Sequence, residues 1–274
     1  VVAIFVIVYL GMILGGLPRL KLDRSGVALL GAIGMIALGT LNTDQAARAV
    51  DWPTVLLLFS FMVVSAQMRL GGFYAFVIWR VAAWPLGRNA LLAALIAVAG
   101  SLSAVFSNDI ICLAMTPVVV NLCRQRGLNP VPFLLGLACA ANIGSAATLI
   151  GNPQNMLIGS VMHLPFAAYV GRALIPVVLS LLVLWAWLAW GPGSKECSQC
   201  APASNGFDTS PLPDEPALNV WQSAKGAAVA SALMVVFLFT DWPREVAALL
   251  GAGVLLLSRR LHTAEVMGFV DWPL

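Results

Sequence analysis

Charge is scarce in this sequence. Only 10% of its 274 residues are Asp, Glu, Lys or Arg, while 60% are hydrophobic. A soluble domain carries about 25% charged residues. So few charges cannot coat a globule in water, which excludes a soluble enzyme and a disordered chain. The net charge of +3 is spread too thinly for a nucleic-acid-binding module, which needs a concentrated basic footprint. Histidine is scarcer still, with only His163 and His262. Neither H-E-x-x-H nor a Ser/His pair at membrane depth occurs, so no enzyme and no cofactor is expected. Five cysteines do not make a disulfide framework: Cys112, Cys123 and Cys139 lie in apolar segments, and Cys197 and Cys200 form a lone C-x-x-C in a polar loop. A structural zinc site takes four ligands, and no partner pair is present. Period-two alternation is missing as well, which excludes a β-barrel. What remains is an all-α polytopic protein, integral to the lipid bilayer and expected to be multi-pass in the plasma (inner) membrane. An apolar segment that starts at residue 1, without a signal-peptide pattern, reads as a chain whose natural N-terminus lies upstream.

The apolar runs are Val1 to Leu17, Ser25 to Leu41, Thr54 to Met68, Leu91 to Phe106, Ile110 to Leu122, Pro132 to Ile150, Met156 to Val161, Ala167 to Trp190, Gly226 to Phe239 and Val246 to Leu257. Gly71 to Trp84 is mixed and reads as interfacial. Residues 191–224 are polar and proline-rich, the pattern of a flexible linker. The runs on either side of Ser107-Asn108-Asp109 hold 16 and 13 residues, short of the ~20 a span requires. Arg69, Arg80 and Arg88 precede them and Arg124 and Arg126 follow, with no acid in either flank. Basic flanks mark the cytoplasmic side. Residues 89–123 therefore read as a re-entrant helical hairpin with a polar tip near mid-membrane. Residues 132–161 read as a second helix, broken at Gly151-Asn152-Pro153-Gln154-Asn155.

Residues 24–53 match residues 244–273 without gaps, down to a shared Val-Asp-Trp-Pro at 50–53 and 270–273. The chain thus reads as a first transmembrane repeat (1–190), a linker (191–224) and the truncated start of a second (225–274). A hairpin that does not cross leaves five crossings in the first repeat. An odd count inverts the second, which is a common transporter plan with its site at the repeat interface.

Asp109 is the one acidic residue well inside an apolar segment. A carboxylate there costs a few kcal/mol unless paired, solvated or protonated, so it reads as a proton carrier or cation ligand. The plainer alternative is a cap on a helix beginning at Ile110. Ser107 and Asn108 share the tip as cation ligands or as turn formers. Gly151 and Pro153 force the second break, and irregular backbone at membrane depth is tolerated where it lines a cavity or is buried in protein. Asn142, Ser145 and Thr148, spaced at i, i+3 and i+6, run along one side of the helix toward that break. Gly144 and Ser145 read either as site residues or as close-packing positions. The Trp185, Trp187 and Trp190 run reads as an interfacial belt.

Ser107-Asn108-Asp109 followed by Met115-Thr116-Pro117, together with the run from Ala141 to Asn155, resembles the two signatures of the ion transporter superfamily. That group holds divalent anion/sodium symporters, citrate permeases, arsenite-efflux permeases and some Na⁺/H⁺ antiporters. The resemblance implies a homodimer working by an elevator motion, a small anion as substrate, and coupling Na⁺ or H⁺. It implies a site made of Ser107, Asn108, Asp109, Asn142, Gly144, Ser145, Thr148, Gly151, Asn152, Pro153 and Asn155. Na⁺ would be held at Ser107, Asn108, Asp109, Gly151 and Asn152. Asp109 departs from the Ser-Asn-Thr of the dicarboxylate branch and favours the arsenite-permease or antiporter side. The expected function is a secondary transporter of an anion or oxyanion coupled to H⁺ or Na⁺, with a Na⁺/H⁺ antiporter of the same fold as the alternative.

Overall fold

Helices answer the low-dielectric problem posed by such a sequence, because each satisfies its backbone polar groups within itself. The computed structural model describes residues 2–14, 24–82, 84–190, 218–240, 242–257 and 266–268, and the elements among them are helices. They are α1 (Val2–Ile13), α2 (Arg24–Ala37), α3 (Thr43–Ala49), α4 (Trp52–Leu70), α5 (Phe73–Ala82), α6 (Arg88–Ser103), α7 (Asn108–Gln125), α8 (Pro130–Ser145), α9 (Pro153–Val161), α10 (Phe166–Trp190), α11 (Val220–Phe239) and α12 (Arg244–Leu256). Cys197, Cys200, His262, most of the linker and the second Val-Asp-Trp-Pro lie outside the described residues. α4, α10 and α11 have 19, 25 and 20 residues and are apolar enough to cross a bilayer. At 1.5 Å per residue they measure about 28, 37 and 30 Å, against a hydrocarbon core of about 30 Å. α2 and α12 both begin at the arginine shared by the two copies of the repeat.

The described residues divide into two units, one running up to Trp52 and the other from Pro53 onward. In the first, α1 and α2 form a pair. Gly11 and Gly31 let them approach: a Cβ on Gly31 would sit 2.3 Å from Val8 Cγ2. α3 starts with a capping box, in which Asn42 accepts from the Gln45 amide while the Gln45 side chain accepts from Asn42 N–H.

The second unit is built around α8. α6, α7 and α10 pack against it, and α5 lies on α6 and α7. Gly136, Ala140 and Gly144 recur every fourth residue, making a stripe of small residues that turns toward α6. The backbones there meet so closely that a Cβ on Gly144 would fall 2.2 Å from Gly100 O. Small residues at such crossings trade side-chain bulk for close backbone packing. Ser103 Oγ donates to Ala141 O at 2.6 Å along the same seam. Trp185 is half-buried and its indole N–H donates to Asn89 O at 3.0 Å, fastening α10 to the start of α6. Trp185 is thus tied into the fold, while Trp187 and Trp190 stay exposed. The outer face of α10 displays Leu174, Ile175, Leu179, Leu182 and Val183. A contiguous apolar face of that kind needs a nonaqueous neighbour.

A buried polar bridge joins the end of α4 to the start of α11. Gln67 Nε2 donates to Gln222 Oε1, and both side chains are almost fully enclosed. Gly71 O accepts from Asn219 N and Ser223 Oγ, both at 3.0 Å.

Candidate functional site

The first break is a short turn, residues 104–107, between α6 and α7. α7 starts at Asn108 rather than Ile110. Ser107 is its N-cap but makes no side-chain capping bond, and Asp109 lies in the first turn. The aspartate is therefore not the cap. Its position near the helix start is nevertheless favourable, because the macrodipole and the open N–H groups there stabilise negative charge. Behind the tip, Phe106 meets the ring of Tyr74 edge-on at 5.8 Å, and the side chains of Tyr74 and Ser65 are both fully buried.

The second break spans residues 146–152, so α8 ends at Ser145 instead of running to Ile150. Thr148 accordingly lies in the break and not on the helix. The carbonyls that a longer helix would have used find other donors. Asn155 Nδ2 donates to Thr148 O at 3.0 Å and to Ser145 O at 3.4 Å, and Tyr169 OH donates to Ala146 O at 3.1 Å. Buried carbonyls need partners, and here side chains supply them. Asn152 caps α9 by accepting from Asn155 N at 2.7 Å, with Pro153 at the first helical position. That is the place where a missing N–H costs nothing. Asn155 thus falls inside α9, not in the break. Gly151 is required by contact: a Cβ there would lie 2.2 Å from Ser145 O.

The two breaks meet. Asn108 Nδ2 donates to Asn142 Oδ1 at 3.0 Å, and Thr148 Oγ1 donates to Ala104 O in the tip turn. From Asn142 the chain of bonds continues: Ser145 Oγ donates to Asn142 O at 2.8 Å, and Asn152 Nδ2 donates to Ser145 Oγ at 3.0 Å. Asn108, Asn142, Ser145, Thr148, Asn152 and Asn155 are thus one hydrogen-bonded constellation, buttressed by the backbone contact at Gly144. Ser145 and Thr148 are buried, whereas Asp109 and Asn142 are exposed. Asn108 Oδ1 is enclosed and has no hydrogen-bond partner. The tip therefore holds oxygens suited to a hard cation beside a helix start suited to an anion. Among the described residues, no three His, Cys, Asp or Glu side chains converge on a metal position.

Two features went unassigned in the sequence. One is the Gln67–Gln222 bridge, whose only local signal was an amide inside the Thr54–Met68 run. The other is a recess of about 570 Å³ bounded by the α9–α10 and α11–α12 connections and lined by residues including Ile150, His163, Phe237 and Arg244. The Arg244 guanidinium donates there to Leu164 O.

Long apolar helices and two polar breaks in contact define the class: an integral, multi-pass helical membrane protein of the transporter kind. The chain belongs to the citrate transporter family, whose family model matches residues 5–274. It is 37% identical over 164 residues to the silicon efflux transporter LSI3 of Oryza sativa subsp. japonica, a match covering 60% of this chain and 33% of that one. It is 28% identical over 164 residues to the putative transporter arsB of Dictyostelium discoideum, covering 60% of this chain and 29% of the relative. An uncharacterized transporter of Mycobacterium tuberculosis is 28% identical over 271 residues, with 92% of this chain and 60% of the relative aligned. The chain thus spans between 29% and 60% of the length of these three relatives. These relationships place it among transporters and not among enzymes.

Proposed function

We propose that this chain is part of a secondary active transporter that moves a small anion or oxyanion of the arsenite, citrate or dicarboxylate type, coupled to H⁺ or Na⁺. The observation that carries the reading is the contact between the two helix breaks through Asn108–Asn142 and Thr148–Ala104. Broken helices that meet inside an apolar unit are how transporters present backbone dipoles and polar side chains to an ion. The names of two relatives, a silicon efflux transporter and an arsB-type transporter, support cargo of this kind. In this reading residues 89–123 form a re-entrant hairpin, and the coupling ion is held by oxygens of Ser107, Asn108 and Asp109, with Gly151 and Asn152 opposite. The hairpin and broken helix slide as one body in an elevator cycle. The protein works as a homodimer in the plasma (inner) membrane.

The test is flux in proteoliposomes made with the full-length protein, wild type beside Asp109→Asn. A pH or Na⁺ gradient is imposed, and uptake of arsenite, citrate, dicarboxylate and sulfate is read. Gradient-driven anion uptake that Asp109→Asn abolishes, with the variant still eluting as folded protein, is the expected result. Uptake that stays gradient-driven in the variant would remove Asp109 from the coupling step. Na⁺-driven proton movement with no anion taken up would replace the proposal with a Na⁺/H⁺ antiporter.

A further inference from the structure

The Asn108–Asn142 bond fixes the register between α7 and α8, and that register brings two thiols into line. α7 and α8 are joined by a short connection at residues 126–129 and run back alongside one another. One turn along α7 from Asn108 is Cys112, and one turn back along α8 from Asn142 is Cys139. Residues three or four apart share a helix face, so the faces joined at 3.0 Å by the two asparagines carry Cys112 and Cys139 on the next level. Both are free thiols; Cys139 is exposed and Cys112 half-buried. Cys139 and Asp109 are also close enough to Cys112 to act on its sulfur electrostatically. Among the described residues, no group of three His, Cys, Asp or Glu side chains forms a metal set here.

We propose that Cys112 and Cys139 form a dithiol site, at the edge of the Asn108–Asn142 contact, for a trivalent arsenical. Two sulfurs suit an element that prefers soft ligands and can keep one substituent of its own. The step is an exchange without redox change: arsenous acid, As(OH)₃, meets two thiols, two As–S bonds replace two As–O bonds, and the two thiol protons leave in two waters. The third hydroxyl stays on arsenic. Release is the reverse. That the captured species is cargo rests on the transport reading above; the binding does not, and the test reads binding alone.

The probe is phenylarsine oxide, which condenses with two thiols to give one bridged adduct and one water. The protein is the full chain in detergent, reduced, carrying Cys197→Ser and Cys200→Ser so that the C-x-x-C cannot compete. One phenylarsenic adduct per chain is expected by intact mass. Cys112 and Cys139 should together lose maleimide reactivity, and 2,3-dimercaptopropanol should restore it. Bridging two thiols gains at least about 100-fold over one, by the effective concentration of the second. Cys112→Ala and Cys139→Ala should each weaken binding by that factor, while Cys123→Ala should leave it unchanged. Maleimide labelling of either thiol at full rate in excess arsenical would overturn the proposal. So would undiminished binding in Cys112→Ala. If Cys112→Ala fails to fold, Cys139→Ala, at an exposed position, decides the same question.

Discussion

Gly144→Ala is the sharpest test of the architecture. The added Cβ would lie 2.2 Å from Gly100 O and 2.4 Å from Gly100 Cα. Both are backbone atoms, so no side chain can rotate away. To reach an ordinary contact, α6 and α8 must separate by about 1 Å at their crossing. Overpacking of this sort costs about 1–3 kcal/mol. The same shift stretches the Ser103–Ala141 bond, now 2.6 Å, and losing it costs about 1 kcal/mol more. The sum, about 2–4 kcal/mol, lowers the unfolding midpoint by roughly 5–15 °C for a chain of this size. The assay is thermal unfolding in detergent, followed by the loss of the monodisperse peak on size exclusion. Gly253→Ala is the control. No atom lies within 4 Å of its Cβ position, so the better helix propensity of alanine should leave it neutral or up to about 1 kcal/mol more stable. If Gly144→Ala and Gly253→Ala melt together, the backbone contact between α6 and α8 is wrong, and with it the reason the two breaks meet.

Two further outcomes follow from the polar bonds. Gln67→Leu strips the donor from buried Gln222 Oε1 and should cost about 1–3 kcal/mol. Gln67→Leu with Gln222→Leu should recover most of that, since an apolar pair leaves nothing unpaired, and thermal midpoints of the single and double variants give the cycle. Asn155→Ala removes the donors to Ser145 O and Thr148 O. It should speed amide exchange across residues 146–152, and Asn155→Asp, which sets acceptors against carbonyls, should exchange faster still.

The membrane class and the two breaks were legible because polar and breaker residues stand out against apolar runs. Ser107-Asn108-Asp109 and Gly151-Asn152-Pro153 announce interruptions wherever they occur. The end of α8 was not legible. Ala146-Ala147-Thr148-Leu149-Ile150 is as apolar as the helix before it, and hydrophobic periodicity cannot tell a buried helix from buried irregular chain. The carbonyls freed where the helix ends are met by Asn155 and Tyr169, ten and 23 positions downstream of their targets. The Trp185–Asn89 bond and the Gln67–Gln222 bridge are equally non-local, at separations of 96 and 155 residues. A sequence window reads propensity and pattern; it does not read which orphaned carbonyl a distant side chain will meet.

The constellation itself falls into two halves. On the break side the polar atoms are committed to one another. Asn152 uses both ends of its amide, accepting from Asn155 N and donating to Ser145 Oγ, and Asn155 ties down two carbonyls. On the tip side Ser107 makes no capping bond, Asn108 Oδ1 has no partner and Asp109 is exposed. In the proposed site a ligand would therefore find the tip less committed to the fold's own hydrogen bonds than the break. Asn152→Asp separates these roles. Aspartate caps a helix as well as asparagine and suits its positive end, while the donor to Ser145 is lost. As a structural cap, Asn152→Asp should shift the thermal midpoint slightly and leave the Na⁺ dependence of flux unchanged. As a cation ligand, the added negative charge would shift that dependence to lower Na⁺ by an order of magnitude or more, since about 1.4 kcal/mol of added attraction is tenfold. Such a shift is what the proposed ion site, which includes Asn152, requires; an unchanged Na⁺ dependence would remove Asn152 from that site and leave the cation to the tip.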